Sequence, residues 1–160
     1  MSHNEELIRL RNRLQGKVLI LGIGNPLRGD DAAGPELIRR LSNSSLPTVK
    51  PMLLLDVGEV PENYLGKIVK ERPDTIVLVD AVDLGASPGT VRVVGKDDIR
   101  AEFLSTHSAS LNMVAEYIEQ ETSADVFVLG IQPENLGFGE EISEPVRESL
   151  EKIVKVLERV

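Results

Sequence analysis

The chain contains no cysteine in its 160 residues, which removes disulfide frameworks, thiolate zinc sites and cysteine nucleophiles together. Basic residues are outnumbered: 18 Lys and Arg against 26 Asp and Glu leave a formal charge of -8, the wrong sign for a surface that tracks phosphates. Nucleic acid is therefore not an expected partner. Histidine is limited to His3 and His107. No stretch approaches the ~20 apolar residues of a bilayer span. Residues 1–14 carry Glu5, Glu6, Arg9, Arg11 and Arg13 among their leucines, which leaves no apolar region for an export signal. The expectation is a cytoplasmic protein without membrane insertion.

What is present is ample for a core. Hydrophobic residues make up 41% of a length usual for one domain, so residues 1–160 read as a single unit. Leu7, Leu10 and Leu14 fall at i, i+3 and i+7, the spacing of a short amphipathic helix, and residues 1–15 read as an N-terminal helical extension. The period then changes. Residues 17–21 (KVLIL), 52–55 (MLLL), 75–79 (TIVLV) and 126–129 (VFVL) are continuous apolar runs of the kind that form strands buried on both faces. Residues 90–94 (TVRVV) alternate more and fit an edge strand.

Helical faces lie between these runs. Leu37, Ile38 and Leu41 form one, and Leu111, Val114, Ala115 and Ile118 form a second. Val146, Leu150, Ile153, Val154 and Leu157 form a third, opened by Ser143 as N-cap with Pro145 in the first turn. The predicted fold class is α/β: a three-layer sandwich with a twisted, mostly parallel (mixed) sheet of about five strands flanked by helices. Ligands of open α/β sheets bind outside the carboxyl ends of the parallel strands, and three of the four buried-strand ends here carry an acid: Asp56 and Asp80 directly, and Asp31 in the loop after the first run.

Three motifs compete for chemistry. Gly22-Ile23-Gly24-Asn25-Pro26-Leu27 begins like a dinucleotide-binding loop, but Leu27 stands where a third glycine belongs and the acids Asp30 and Asp31 follow where a pyrophosphate would need N–H donors. Gly85-Ala86-Ser87-Pro88-Gly89 matches the nucleophile elbow of serine hydrolases in letters only. Pro88 has no N–H to offer an oxyanion, and an extended segment follows in place of a helix, so a Pro-Gly turn is the better reading.

The third candidate is a set. Asp31 after the first strand, Asp80 at the end of TIVLVD and His107 before the Leu111 helix each have an innocent reading as cap, turn acceptor or helix-start residue. Strand-end geometry brings two carboxylates and an imidazole into one crevice with no Lys or Arg beside them in the chain. Two oxygen ligands and one nitrogen suit a borderline divalent ion such as nickel, zinc or cadmium better than calcium or magnesium. Without a metal, the two acids would share a proton and one would serve as general base.

Those residues belong to a longer ordered pattern: Gly22 to Asp31, Gly34, Asp56-Val57-Gly58 with Pro61-Glu62-Asn63, Val79-Asp80-Ala81, Pro88-Gly89, Thr106-His107 and Leu129-Gly130-Ile131-Gln132-Pro133. The pattern resembles the nickel-iron hydrogenase maturation endopeptidases, most nearly the branch that serves hydrogenase 3, and spans residues 17–157. Ala32 and Val57 depart from it where glycine is common in that family. The resemblance implies an endopeptidase that removes the C-terminal extension of a hydrogenase large-subunit precursor once nickel has been inserted. It puts the metal-contacting and catalytic positions on Asp31, Asp80 and His107, with the nickel carried by the precursor and zinc or cadmium able to occupy the isolated site. Gly22, Gly24 and Asn25 are the substrate-binding expectation, against a role for the glycines in packing alone. Asp30 is expected to be structural, as cap or loop anchor. A non-catalytic, metal-dependent binding module for a hydrogenase subunit and a Rossmann-like nucleotide-binding domain remain the alternatives.

Overall fold

The computed structural model describes residues 2–45, 51–95, 97–98 and 105–159. Five strands form one sheet in the order β2-β1-β3-β5-β4, with β1 at Val18–Ile23, β2 at Met52–Gly58, β3 at Thr75–Ala81, β4 at Val91–Val94 and β5 at Asp125–Ile131. The pairs β1–β2, β1–β3 and β3–β5 are parallel and β4–β5 is antiparallel. This is the mixed, mostly parallel sheet expected from the apolar runs.

The runs are uniformly apolar because both faces of the sheet are covered. Along β1, Val18 and Ile20 enter one hydrophobic cluster and Leu19 and Leu21 the other, as a period of two requires. The first cluster packs β1, β3 and β5 against helices α1 (His3–Arg13), α2 (Ala33–Ser42) and a C-terminal helix (Glu144–Leu157). The second packs the opposite face against α3 (Leu65–Lys70) and α4 (Ser108–Glu121); the C-terminal helix is α5. Each fully buried Leu, Ile or Val in these layers contributes about 1.5–3 kcal/mol of transfer free energy.

The strand β2 departs from expectation. Met52, Leu53, Leu54 and Leu55 are only half-buried, because β2 lies at the edge of the sheet with a single described neighbour, β1. Helix α1 opens with a reciprocal capping box between Ser2 and Glu5, and it buries Leu7 and Leu10 on the core. Its Glu6 is also buried, and the carboxylate accepts the Val93 N–H of β4 at 2.8 Å, which closes part of an otherwise open sheet edge. Ser143 stands at the N-cap of α5 as predicted, with Pro145 in the first turn, but its hydroxyl makes no cap bond. It is engaged elsewhere, as shown below. No helix among the described residues is long and apolar enough to cross a membrane.

Candidate active site

Three loops meet at the carboxyl ends of β1, β2 and β3. The first follows β1 and folds into a 3-10 turn, Gly29–Ala32, that carries both Asp30 and Asp31. Asp30 is fully buried and anchors the turn. Its carboxylate accepts the N–H groups of Glu134 (2.8 Å), Asn135 (3.2 Å) and Ser143 (2.7 Å) and the Ser143 hydroxyl (2.8 Å). One side chain thus ties the β1 loop to the segment entering α5, the structural task expected of it, and this is where the Ser143 hydroxyl is used.

The neighbouring acid points the other way. Asp31 is 3% exposed; its Oδ2 accepts the Asn25 N–H at 2.8 Å, whereas its buried Oδ1 has no hydrogen-bond partner among the described residues. Asp80, wholly buried near the end of β3, directs Oδ1 to His107 Nδ1 at 3.1 Å, and its Oδ2 accepts a hydrogen bond from the Ser105 hydroxyl. His107 occupies the N-cap position of α4 but does not cap it; its backbone N–H donates to Ser105 Oγ at 3.0 Å, which fixes the approach of the ring. The same Nδ1 lies 4.0 Å from Asp31 Oδ1. One ligand-type atom from each of Asp31, Asp80 and His107 falls within 4.8 Å of the other two, and all three residues are buried. The set drawn from strand ends is one cluster in space.

The charges are balanced unevenly. Burial alone lowers the affinity of the imidazole for its proton, but the hydrogen bond and charge of Asp80, with additions from Asp31 and Glu59, outweigh it and raise His107 to about 9. Burial also pushes the Asp80 carboxyl up, against the hydrogen bonds from His107 and Ser105. At neutral pH the cluster therefore holds a proton on His107 facing two acids. A divalent cation would supply two positive charges in place of that one and would also engage the Asp31 oxygen that has no partner among the described residues, so the donor set fits one. Ion binding would displace that proton.

The glycines predicted to bind substrate have another task on view. A side chain at Gly22 would sit 2.5 Å from the Gly34 carbonyl, and one at Gly24, whose φ is +145°, would sit 1.8 Å from the Asp31 carbonyl. Both therefore admit the start of α2 and the Asp31 turn against the strand end, which is the packing role weighed against substrate binding. Asn25 is half-buried at the mouth; besides its bond to Asp31, its Oδ1 accepts the Leu27 N–H at 2.9 Å. Ser87 lies in an exposed turn that leads into β4, as the Pro-Gly reading predicts.

Two participants were missed by sequence reasoning. Ser105 braces both Asp80 and His107, and Glu59, just beyond β2, places Oε1 3.5 Å from His107 Nε2. Ser105 was detectable as a hydroxyl two residues before the histidine. Glu59 follows Gly58 in an acidic chain and carries no local signal of its own.

Comparison with known proteins converges on one family. The family model for HycI hydrogenase maturation proteases matches residues 35–160, a span that includes Asp80 and His107 and begins just after Asp31. The hydrogenase 3 maturation protease of Escherichia coli K12 is 33% identical over 141 residues, covering 88% of each chain. The crystal structure of a NiFe hydrogenase maturation protease, HycI from Thermococcus kodakarensis KOD1, superposes with a TM-score of 0.84 at 36% identity, covering 94% of this chain and 97% of that one. The hydrogenase maturating endopeptidase HybD from Escherichia coli aligns with a TM-score of 0.71 at 25% identity, over 87% of this chain and 88% of that one.

Proposed function

This chain belongs to the hydrogenase maturation proteases and is a peptide-bond hydrolase, and from that premise we propose that it removes the C-terminal extension of a nickel-iron hydrogenase large-subunit precursor after nickel insertion. The observation that carries the reading is the buried cluster of Asp31, Asp80 and His107, with a carboxylate oxygen of Asp31 left without a partner among the described residues. Nickel in this scheme is cargo of the precursor, and the three side chains dock onto it.

Recognition and quality control then become one contact. A precursor without nickel offers no positive charge to two facing acids, so its binding is weak; the loaded precursor is selected by differential affinity. Docking on the metal also holds the scissile peptide beside the cluster, which supplies the positioning part of catalysis. Hydrolysis then uses a water activated at the cluster, its proton taken by an acid in aspartyl-type chemistry or its acidity raised by the precursor's metal. Zinc or cadmium would occupy the isolated site through the same oxygen and nitrogen donors. A groove of about 570 Å³, lined by Pro26, Gly29, Ala32, Asp56 and Arg147 and by none of the three cluster residues, starts at the neighbour of Asn25 and offers room for the extension peptide. The reaction belongs in the cytoplasm, with neither nucleic acid nor membrane insertion involved.

The test is the mass of a large-subunit precursor after incubation with the protein, in nickel-loaded and nickel-free form, with His107→Ala as control. Loss of a C-terminal peptide from the loaded form alone, abolished in His107→Ala, is the expected result. Equal cleavage of both forms would remove nickel from recognition. Binding of a competent loaded precursor without cleavage would leave a docking module.

A further inference from the structure

We propose that Glu59 is a positioning residue for His107: its carboxylate holds the imidazole Nε2–H and so presents Nδ1 as the nitrogen that meets a cation between Asp31 and Asp80. This rests on reading the three-residue cluster as a cation site, and it adds a residue that is not one of the three.

The ring has two sides. On one, Nδ1 lies 3.1 Å from Asp80 Oδ1 and 4.0 Å from Asp31 Oδ1. On the other, the buried Nε2 lies 3.5 Å from Glu59 Oε1, within ion-pair reach, and no described group completes a hydrogen bond to it, so Glu59 is the nearest acceptor its N–H has. The imidazole stands between Glu59 and the two aspartates, so Glu59 does not join them as a ligand; it acts on the far nitrogen. A histidine that ligates a metal commonly donates its other N–H to a carboxylate, and that partner fixes both tautomer and ring orientation.

Glu59 also reaches the second ligand. Its Oε2 is 3.4 Å from Asn25 Nδ2, and the backbone N–H of the same Asn25 holds Asp31 Oδ2 at 2.8 Å. One carboxylate on the rim therefore braces the histidine directly and the Asp31 loop through Asn25. Its 47% side-chain exposure places it at the mouth, where a docking partner reaches it before the buried trio.

The experiment uses the full chain labelled with ¹⁵N-histidine and loaded with ¹¹³Cd²⁺, whose scalar coupling reports the ligating nitrogen. The wild type should show coupling at His107 Nδ1 with Nε2 protonated. In Glu59→Ala the coupling should spread to Nε2, and Cd²⁺ affinity should fall by roughly ten- to a hundredfold. Glu59→Gln keeps an oxygen that accepts from Nε2–H and should restore the Nδ1 signature and most of the affinity. Coupling at Nε2 in the wild type, or an unchanged signature and affinity in Glu59→Ala, would overturn the proposal. Asp31→Asn and Asp80→Asn separate the levels. If Cd²⁺ binding survives in both, the cluster reading itself is wrong and the role of Glu59 falls with it; if both lose binding while Glu59→Ala does not, only the role of Glu59 fails.

Discussion

Asp30 and Asp31 are adjacent in one 3-10 turn, both carboxylates are buried, and they have opposite fates. Asp30 accepts four hydrogen bonds from three residues more than a hundred positions away in sequence. Among the described residues Asp31 accepts one, keeps an oxygen with no partner and faces a second acid across the crevice. A buried charge whose hydrogen bonds are complete holds a structure together, whereas one left incomplete costs stability and keeps a lone pair open to a cation. The first builds the platform on which the second is held.

The largest effect expected from breaking this contrast is on catalysis. Asp31→Asn, Asp80→Asn and His107→Ala should each reduce precursor cleavage below detection while leaving the circular dichroism spectrum unchanged. Asp31→Asn should keep its metal-free stability within about 1 kcal/mol of wild type, since the remaining oxygen still accepts from Asn25 and one of two facing negative charges is gone. Undiminished cleavage by Asp31→Asn would detach the reaction from this cluster.

The same substitution one residue earlier should act in the opposite domain of effects. Asp30→Asn replaces an acceptor oxygen with an NH₂ group that meets N–H donors, a loss of about 2–4 kcal/mol that lowers the melting temperature by roughly 10 °C for a chain of this length. Thermal denaturation measures it directly. If Asp30→Asn melts like wild type while Asp31→Asn is the unstable one, the division of labour is reversed.

The cluster that holds Asp31 should also respond to pH. His107 gains its proton affinity only in the folded state, where it rises from an ordinary value of 6.5 to about 9. A group raised on folding stabilises fully below its unfolded value and loses that contribution as pH climbs through the folded one. The metal-free protein should therefore lose up to about 3 kcal/mol between pH 6.5 and 9 through this residue, the free-energy equivalent of the shift. Denaturant titrations across that window should show the decline in wild type and a flatter profile in His107→Gln. An equal slope in both would place the proton elsewhere.

Much of this organisation was legible in the chain. The runs at 17–21, 75–79 and 126–129 are strands covered on both faces, and 90–94 is the antiparallel edge, because apolar continuity and alternation report directly on how many sides are buried. The MLLL run misled, since a uniform apolar run says which layers lie above and below a strand and nothing about how many neighbours flank it. Asp31, Asp80 and His107 emerged from strand ends and from a resemblance, whereas the pairings of Ser143 with Asp30 and of Glu59 with His107 are contacts between distant segments that no local spacing encodes. The six-residue α3 is too short to show a period.

Ser105 carries the smallest of the expected effects and is the most informative about how the two kinds of acid differ. Its hydroxyl donates to Asp80 and accepts the N–H of His107, so it gives the cluster a fraction of the satisfaction that Asp30 enjoys in full. Ser105→Ala removes one donor from a buried carboxylate and one acceptor from a backbone N–H at the start of α4, a cost of about 1–2 kcal/mol in stability. If Ser105 only braces the fold, cleavage per folded molecule should be unchanged. If it aligns Asp80 and His107 toward the precursor's metal, kcat/KM should drop by about tenfold, the equivalent of about 1.4 kcal/mol of lost positioning, beyond what unfolding explains. The prediction is the second outcome, because both bonds of the hydroxyl end on residues of the cluster and neither reaches the core. Steady-state kinetics on the loaded precursor, corrected for the folded fraction from a denaturation curve, separates the two.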